Sequence, residues 1–290
     1  MLHRTWLDRL ADGIIILVLA LFAIAMFIPF LYIFSVSFTS MEEYLRRTFI
    51  LWPERWVTSA YSYILANNKF VKSVGVTAYI TVLGTLLNLA FTSTMAYGLS
   101  RRFYGQKLFL FMVLFTFLFS AGIIPTYLIV KATGLLNTVW ALIIPVLISP
   151  WNLIVFSQFF KSIPEELNEA ALIDGANPFT VFWRIILPLS KPALATFGLF
   201  YAVSHWNAYF SGILYLSNPK LWPIQVLLRQ IVVVNDTSSL SVTEQVLTDP
   251  PPAETIQMAA ILLATVPILI VYPFLQKHFA KGVMIGSVKG

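Results

Sequence analysis

Apolar residues in this chain run in long blocks, with short polar stretches between them. Six blocks, near 13–38, 70–99, 107–131, 137–160, 188–216 and 256–279, match the length of a membrane-crossing helix. A hydrocarbon core of ~30 Å takes about 20 helical residues to cross. The pattern predicts an all-α polytopic membrane protein with about six spans, organised as one domain over 1–290. Gly75 and Gly84 interrupt the second block, and Gly198 and Gly212 the fifth. Glycines at such places permit close helix approach or local unwinding; ordinary small-residue packing is the plainer alternative. Two connecting stretches are long, near 39–69 and 217–255. The second holds Asn235-Asp236-Thr237-Ser238-Ser239 and Pro250-Pro251-Pro252, which are turn and extended-chain signals.

Composition agrees with the block pattern. Hydrophobic residues make up 58% and charged residues 11%, against about 45–50% and 25% in a soluble domain. Cysteine is absent, which excludes disulfides and thiolate metal sites. The net charge of +6 sits at the ends of the apolar blocks, so membrane orientation accounts for it better than nucleic acid. Arg4 and Arg9 precede the first block, Arg101, Arg102 and Lys107 follow the second, and Lys277, Lys281 and Lys289 follow the sixth. With six spans all three groups share one side, which the positive-inside bias makes cytoplasmic, together with both termini. Arg46, Arg47, Arg55 and Lys69 in the 39–69 stretch oppose that assignment and are outvoted. Ala23-Ile24-Ala25 has the small-x-small form of a signal-peptidase site, but the apolar run continues to Phe38, so the first span is expected to stay uncleaved.

The stretch 161–188 differs from its surroundings. Ser162-Ile163-Pro164-Glu165 reads as a capping box with Ser162 as N-cap. Gly175 suits the left-handed residue that ends a helix. Asn177-Pro178 opens another helix, and Pro188 marks the return to the membrane. Leu167, Ala170, Ala171 and Asp174 fall at i, i+3, i+4 and i+7, on one face. Glu165, Glu166, Glu169 and Asp174 are acidic, and 162–175 has no Lys or Arg. An acidic helix is poorly suited to an anionic leaflet, so docking of a soluble partner is preferred over lying on lipid, with Glu169 available to a basic group.

The order Glu169-Ala170-Ala171, then Asp174-Gly175, then Ile185-Ile186-Leu187-Pro188 resembles the cytoplasmic signature loop of ABC importer permeases. Further matches resemble the maltose-permease-like carbohydrate group: Ala96-Tyr97-Gly98-Leu99-Ser100-Arg101, Ile124-Pro125-Thr126-Tyr127-Leu128, Gly134-Leu135-Leu136-Asn137-Thr138 and Trp206-Asn207. Phe119-Ser120-Ala121-Gly122-Ile123 and Trp222-Pro223-Ile224-Gln225 look most like its oligosaccharide and polysaccharide branch, including alginate and aldouronate importers. Lys72-Ser73-Val74 departs from the group, which has Asn-Ser there. The resemblance implies a type I permease architecture and a partly shared machine. This would place the chain in a bacterial inner membrane with a second permease subunit, expected to be a different chain, two ATPase subunits holding ATP and Mg, and an extracytoplasmic solute-binding protein. It implies that Glu169, Ala170, Ala171, Asp174, Gly175, Leu187 and Pro188 couple to the ATPase. It also implies that the tail 281–290, with Gly286 and Lys289, reaches between the ATPase subunits. The substrate expected is a sugar, as an oligosaccharide or polysaccharide fragment.

This chain carries no Gly-x-x-x-x-Gly-Lys-Ser/Thr phosphate loop, so it is expected to be no enzyme and to bind no cofactor or metal itself. His205-Trp206-Asn207-Ala208-Tyr209 lies within the fifth span, where polar groups are costly and face a bundle interior or a wet cavity. Trp206 and Tyr209 suit stacking on sugar faces, and His205 and Asn207 suit hydrogen bonds to hydroxyls; satisfaction of neighbouring helices is the alternative. An ion-coupled secondary transporter is the rival function. It lacks the intramembrane carboxylates such carriers use. An intramembrane enzyme lacks a catalytic constellation, since His3, His205 and His278 are far apart in the expected topology.

Overall fold

The computed structural model describes residues 6–234 and 251–287, leaving aside the side chains of 7, 8, 272 and 274–287. The expected Asn235–Ser239 turn, Pro250 and Lys289 lie outside the described residues. In chain order the helices are α1 (Trp6–Ser37), α2 (Met41–Arg46), α3 (Ser59–Ala66), α4 (Asn68–Ser100), α5 (Gln106–Leu118) and α6 (Ile123–Ala132). Two 3₁₀ turns follow, Val139–Leu142 and Ile144–Val146, and then α7 (Pro150–Lys161). Next come α8 (Glu166–Ile173), α9 (Pro178–Val181), a π turn (Phe182–Ile186), α10 (Leu187–Leu189) and α11 (Lys191–Trp206). The chain closes with α12 (Tyr209–Tyr215), α13 (Ile224–Val232) and α14 (Ala253–Ser287), and Gly286 falls in the last turn of α14. No strand occurs among the described residues.

Three helical segments are each long and apolar enough to span alone: Arg9–Ser37, Asn68–Ser100 and Ala253–Val271. Two of the other expected spans are bent pairs, and a third bent pair overlaps only part of the expected 188–216 block, because it begins at Pro178 within the 161–188 stretch. Gln106–Leu118 and Ile123–Ala132 meet at 114°, Val139–Val146 and Pro150–Lys161 at 49°, and Pro178–Leu189 and Lys191–Trp206 at 81°. Counting each pair as one span gives six. Each break has the same chemical cause. Pro125, Pro150 and Pro192 all stand in the first turn of the second segment. There a missing N–H costs nothing, whereas further into a continuous helix it would leave a carbonyl unpaired and crowd it. The glycines of the second block do not unwind it, and α4 is continuous through both.

The chain packs as two compact units. The first contains residues 1–70 and 228–266, the second 71–227 and 267–290. In the first unit every described residue of α1 from 9 to 30 is exposed, and order begins where α1 meets the following loop. Ser35 Oγ donates to the Leu51 carbonyl at 2.6 Å, and Ser37 Oγ shares a 2.7 Å bond with Tyr61 Oη. Phe38 stacks on Tyr61 at 4.7 Å. The buried Glu43 carboxylate accepts the Glu54 N–H at 3.0 Å and pairs with Arg47 at 3.1 Å. Arg46 pairs with Glu54. Two of the four cations that oppose the expected orientation are thus tied to acids in their own loop.

The second unit holds two apolar cores. One joins the lower part of α4, with Ala96 and Leu99, to Phe156 and Phe160 of α7, to Ala171, and to Phe182, Ile186, Phe197 and Tyr201. The other centres on Ile80, Val130, Ile143 and Leu216. Close approach explains three of the glycines. A Cβ on Gly84 would lie 2.5 Å from His205 Nε2, one on Gly212 2.7 Å from Val226 Cγ2, and one on Gly198 3.3 Å from Leu89 Cδ1.

Candidate functional sites: a capped loop and a polar ladder

The loop between α7 and α11 is built from helix ends. Gly175 sits at φ +84°. Its N–H donates to the Leu172 carbonyl and that of Ala176 to the Ala171 carbonyl, each at 3.0 Å. This is the paired bonding of a Schellman cap, which needs a residue without a Cβ penalty at the left-handed position. Two residues on, Asn177 Oδ1 accepts the Thr180 N–H at 2.7 Å and Pro178 opens α9. One helix is therefore closed and the next opened within four residues, which makes a stiff elbow.

The expected capping box does not form. Ser162 is the C-cap of α7, and its hydroxyl donates to the Phe159 carbonyl at 2.7 Å. Serine hydroxyls readily bond back to the preceding turn. Glu165 takes the N-cap position of α8 through its backbone alone, with its carbonyl accepting from Asn168 and Glu169.

The face anticipated over 167, 170, 171 and 174 is divided. Ala171 is 8% exposed and packs into the loop's own core, while Leu167, Glu169, Ala170, Asp174 and Gly175 are exposed. The inward stripe is Asn168 and Ala171, three residues apart. Val181, Phe182 and Ile186 complete the anchoring, and the Phe182 ring lies 4.9 Å from Tyr97. Leu187 is half-buried against the same core and Pro188 is exposed. The π turn just before Pro188 has a local reason. A proline at 188 offers no N–H to the Arg184 carbonyl and its ring crowds that carbonyl, so the helix widens there. Outward stand Leu172, Ile173 at 85% exposure, Phe179 and Trp183. Sequence reading missed these apolar positions; their signal is large apolar residues beside the turn of an otherwise acidic segment.

The second site is a ladder of polar side chains between α4, α11 and the break before α7. Asn88 Nδ2 donates to the Val146 and Leu147 carbonyls at 2.7 and 2.8 Å. That fixes the amide orientation, so Oδ1 faces His205 Nε2 at 2.6 Å and the ring nitrogen donates. One turn along both helices, Thr92 Oγ1 and Tyr201 Oη share a 2.8 Å bond, and Tyr201 Oη accepts the Ser149 N–H at 3.3 Å. Of the backbone groups served, the Val146 carbonyl is the one whose helical partner Pro150 removes; the Leu147 carbonyl and the Ser149 N–H lie in the break itself. In an unbroken helix the N–H of residue 150 would bond the Val146 carbonyl. Irregular backbone within a membrane survives only where such groups are met by protein or water.

His205 is 3% exposed and its Nε2 is committed to Asn88. Its neighbours differ. Asn207 is exposed at the end of α11, donates to the Val203 carbonyl at 2.9 Å and meets Gln225 at 3.5 Å. Tyr209 is half-buried at the start of α12. Trp206 lines a cavity of about 390 Å³ with Thr81, Thr85, Val203 and Pro267. Thr81 Oγ1 and Thr85 Oγ1 are buried there without hydrogen-bond partners. Asn88, Thr92 and Tyr201 were not anticipated as a set. Their one available signal is the shared i, i+4 spacing of polar residues on two apolar helices.

A chain of apolar helices broken by proline, with the break before α7 satisfied from neighbouring helices, is a polytopic membrane protein. It belongs to the binding-protein-dependent transport system inner membrane component family, which it matches over residues 1–285. It is 49% identical over 284 residues to the polygalacturonan/rhamnogalacturonan transport system permease protein YtcP of Bacillus subtilis (strain 168), covering 98% of this chain and 99% of that one. It is 48% identical over 290 residues to Protein LplC of the same organism, covering 100% and 98%. Among solved structures it is similar to a chain of a bacterial ABC transporter involved in the import of the acidic polysaccharide alginate. The TM-score is 0.89 and the identity 34%, over 96% of this chain and 100% of that chain.

Proposed function

We propose that this chain is one of two permease subunits that form the pathway of an ATP-driven importer of acidic polysaccharide fragments. The observation that carries the substrate class is the pairing of two full-length similarities. One is to a protein named for polygalacturonan, the other to a structure named for alginate, and both polymers are acidic. An extracytoplasmic binding protein delivers the substrate, and two ATPase subunits that hold ATP and Mg drive the cycle in a bacterial inner membrane, with both termini of this chain cytoplasmic. The second permease subunit is a different chain.

Coupling runs through the α8–α10 loop. Glu169, Ala170 and Asp174, with Leu172, Ile173 and Phe179, form the docking surface, an apolar patch edged by carboxylates. Ala171, Leu187 and Pro188 tie that surface to the spans, and the Gly175 elbow carries force without bending. Exposure of large apolar residues on a short, doubly capped segment supports this assignment. The tail at Gly286 and Lys289 adds a second contact with the ATPase. Along the pathway, Trp206, Asn207 and Tyr209 meet the sugar. His205 acts through Asn88 by holding the bend before α7.

Uptake of labelled oligogalacturonides by cells with and without this chain tests the substrate class. Uptake lost with the chain and competed by oligogalacturonides is expected. Unchanged oligogalacturonide uptake, with loss of a neutral oligosaccharide instead, would overturn the acidic assignment.

A further inference from the structure

A polar cavity of about 360 Å³ lies where α4 ends, α5 begins and α7 ends. Its wall includes Ser100, Arg101, Arg102, Gln106, Lys161 and Glu165. Three cations face one carboxylate, so two positive charges stay uncompensated. Among the described residues, Arg101, Arg102 and Lys161 take part in none of the ion pairs, which include those of the 39–69 loop. The cations are partly fixed in place: the Arg101 guanidinium lies over the Tyr97 ring at 4.7 Å, and its Nε is buried without a hydrogen-bond partner. Ser100 and Gln106 are held by bonds to the Tyr97 and Leu99 carbonyls, at 2.7 and 2.8 Å. The unpartnered Arg101 Nε–H and the surplus positive charge of the cavity suit an anion.

The surroundings indicate the anion's source. The cavity sits at the ends of spans, next to the fully exposed Tyr104 and the exposed Phe103. Aromatic residues at such positions mark the headgroup level. Directly beyond it, Leu108, Met112 and Phe115 are each exposed along one face of α5, an apolar track leading away from the cations. We infer that this cavity binds the phosphate of an anionic phospholipid headgroup, with the acyl chain lying on the outward face of α5. Basic pockets between spans suit such headgroups. The assignment requires only that Ser100 and Lys161 lie at a membrane interface, and it is independent of the transported sugar.

The test uses the complex that purifies with the tagged chain, placed in nanodiscs of phosphatidylcholine alone or mixed with phosphatidylglycerol. Native mass spectrometry then counts the phosphatidylglycerol retained. Arg102→Gln with Lys161→Gln removes two exposed charges and should lower retention roughly ten- to thirtyfold, from the attraction of two basic side chains. Arg101→Gln should lower it as well. Lys107→Gln with Lys191→Gln removes as much charge outside the cavity and should leave retention unchanged. Equal retention in the cavity variants and the control would overturn the proposal. So would protection of the cavity by inorganic phosphate with no lipid retained, which would make it a free-phosphate site. Loss of an ATPase subunit from the cavity variants with lipid retention intact would also overturn it, by assigning the cations to a protein contact.

Discussion

The helical path is interrupted at two places that solve the same problem by different means. At Gly175–Pro178 the stranded carbonyls and amides are met within six residues, by a Schellman cap and by the Asn177 side chain. At 146–150 the local cap is partial: Ser149 Oγ accepts the Asn152 N–H at 3.5 Å, and the rest comes from afar. The Val146 and Leu147 carbonyls are met by Asn88 from 58 and 59 residues away, and the Ser149 N–H by Tyr201 from 52. The first arrangement makes a self-sufficient unit that can stand at a surface and be moved as a whole. The second ties three segments together, so no one of them can shift without breaking buried hydrogen bonds. A transport subunit has use for both: a rigid handle outside the bundle and a fixed bend within it.

The contrast can be broken at either end. Asn88→Leu should have the largest effect, since it strands two carbonyls and the His205 ring nitrogen together. Interhelical bonds in membranes average about 0.6 kcal/mol each, and an unsatisfied buried group costs about 1–3 kcal/mol. A loss of roughly 2–4 kcal/mol, measured by denaturant titration in detergent, is expected. Gly84→Ala should follow, at about 1–3 kcal/mol, because its Cβ cannot share space with the His205 ring. A double-mutant cycle with His205→Ala should show strong non-additivity, as expected for residues in contact. Asn177→Ala removes one cap and should cost about 1 kcal/mol, with no coupling to Asn88. Coupling between these two sites would dissolve the distinction drawn between them.

The same distinction explains what could be read from the sequence. Gly175 and Asn177-Pro178 were legible because a cap is a local device whose partners lie within one turn. The capping box at Ser162 was misread for an equally local reason, since the same hydroxyl can bond backward or forward and the letters do not say which. The buried side of Ala171 was hidden because the face of a helix that a core selects depends on what surrounds it, here Phe160 and Phe182 from other segments. The bends at Pro125, Pro150 and Pro192 were visible as prolines but lay inside apolar blocks long enough to pass as continuous spans. Least legible was the ladder, since nothing near Pro150 in the sequence points to Asn88.

Coupling through the capped loop is the centre of this account, and one measurement addresses it directly. The tagged chain is purified from its native membrane in mild detergent, before and after Glu169→Lys. Glu169 is exposed and lies outside the core, so the substitution should change stability by no more than about 0.5 kcal/mol. The account predicts that an ATPase purifies with the original chain and is lost from the variant, whose unfolding is unchanged. A chain that purifies alone in several detergents, and transports in liposomes without ATP, would contradict it.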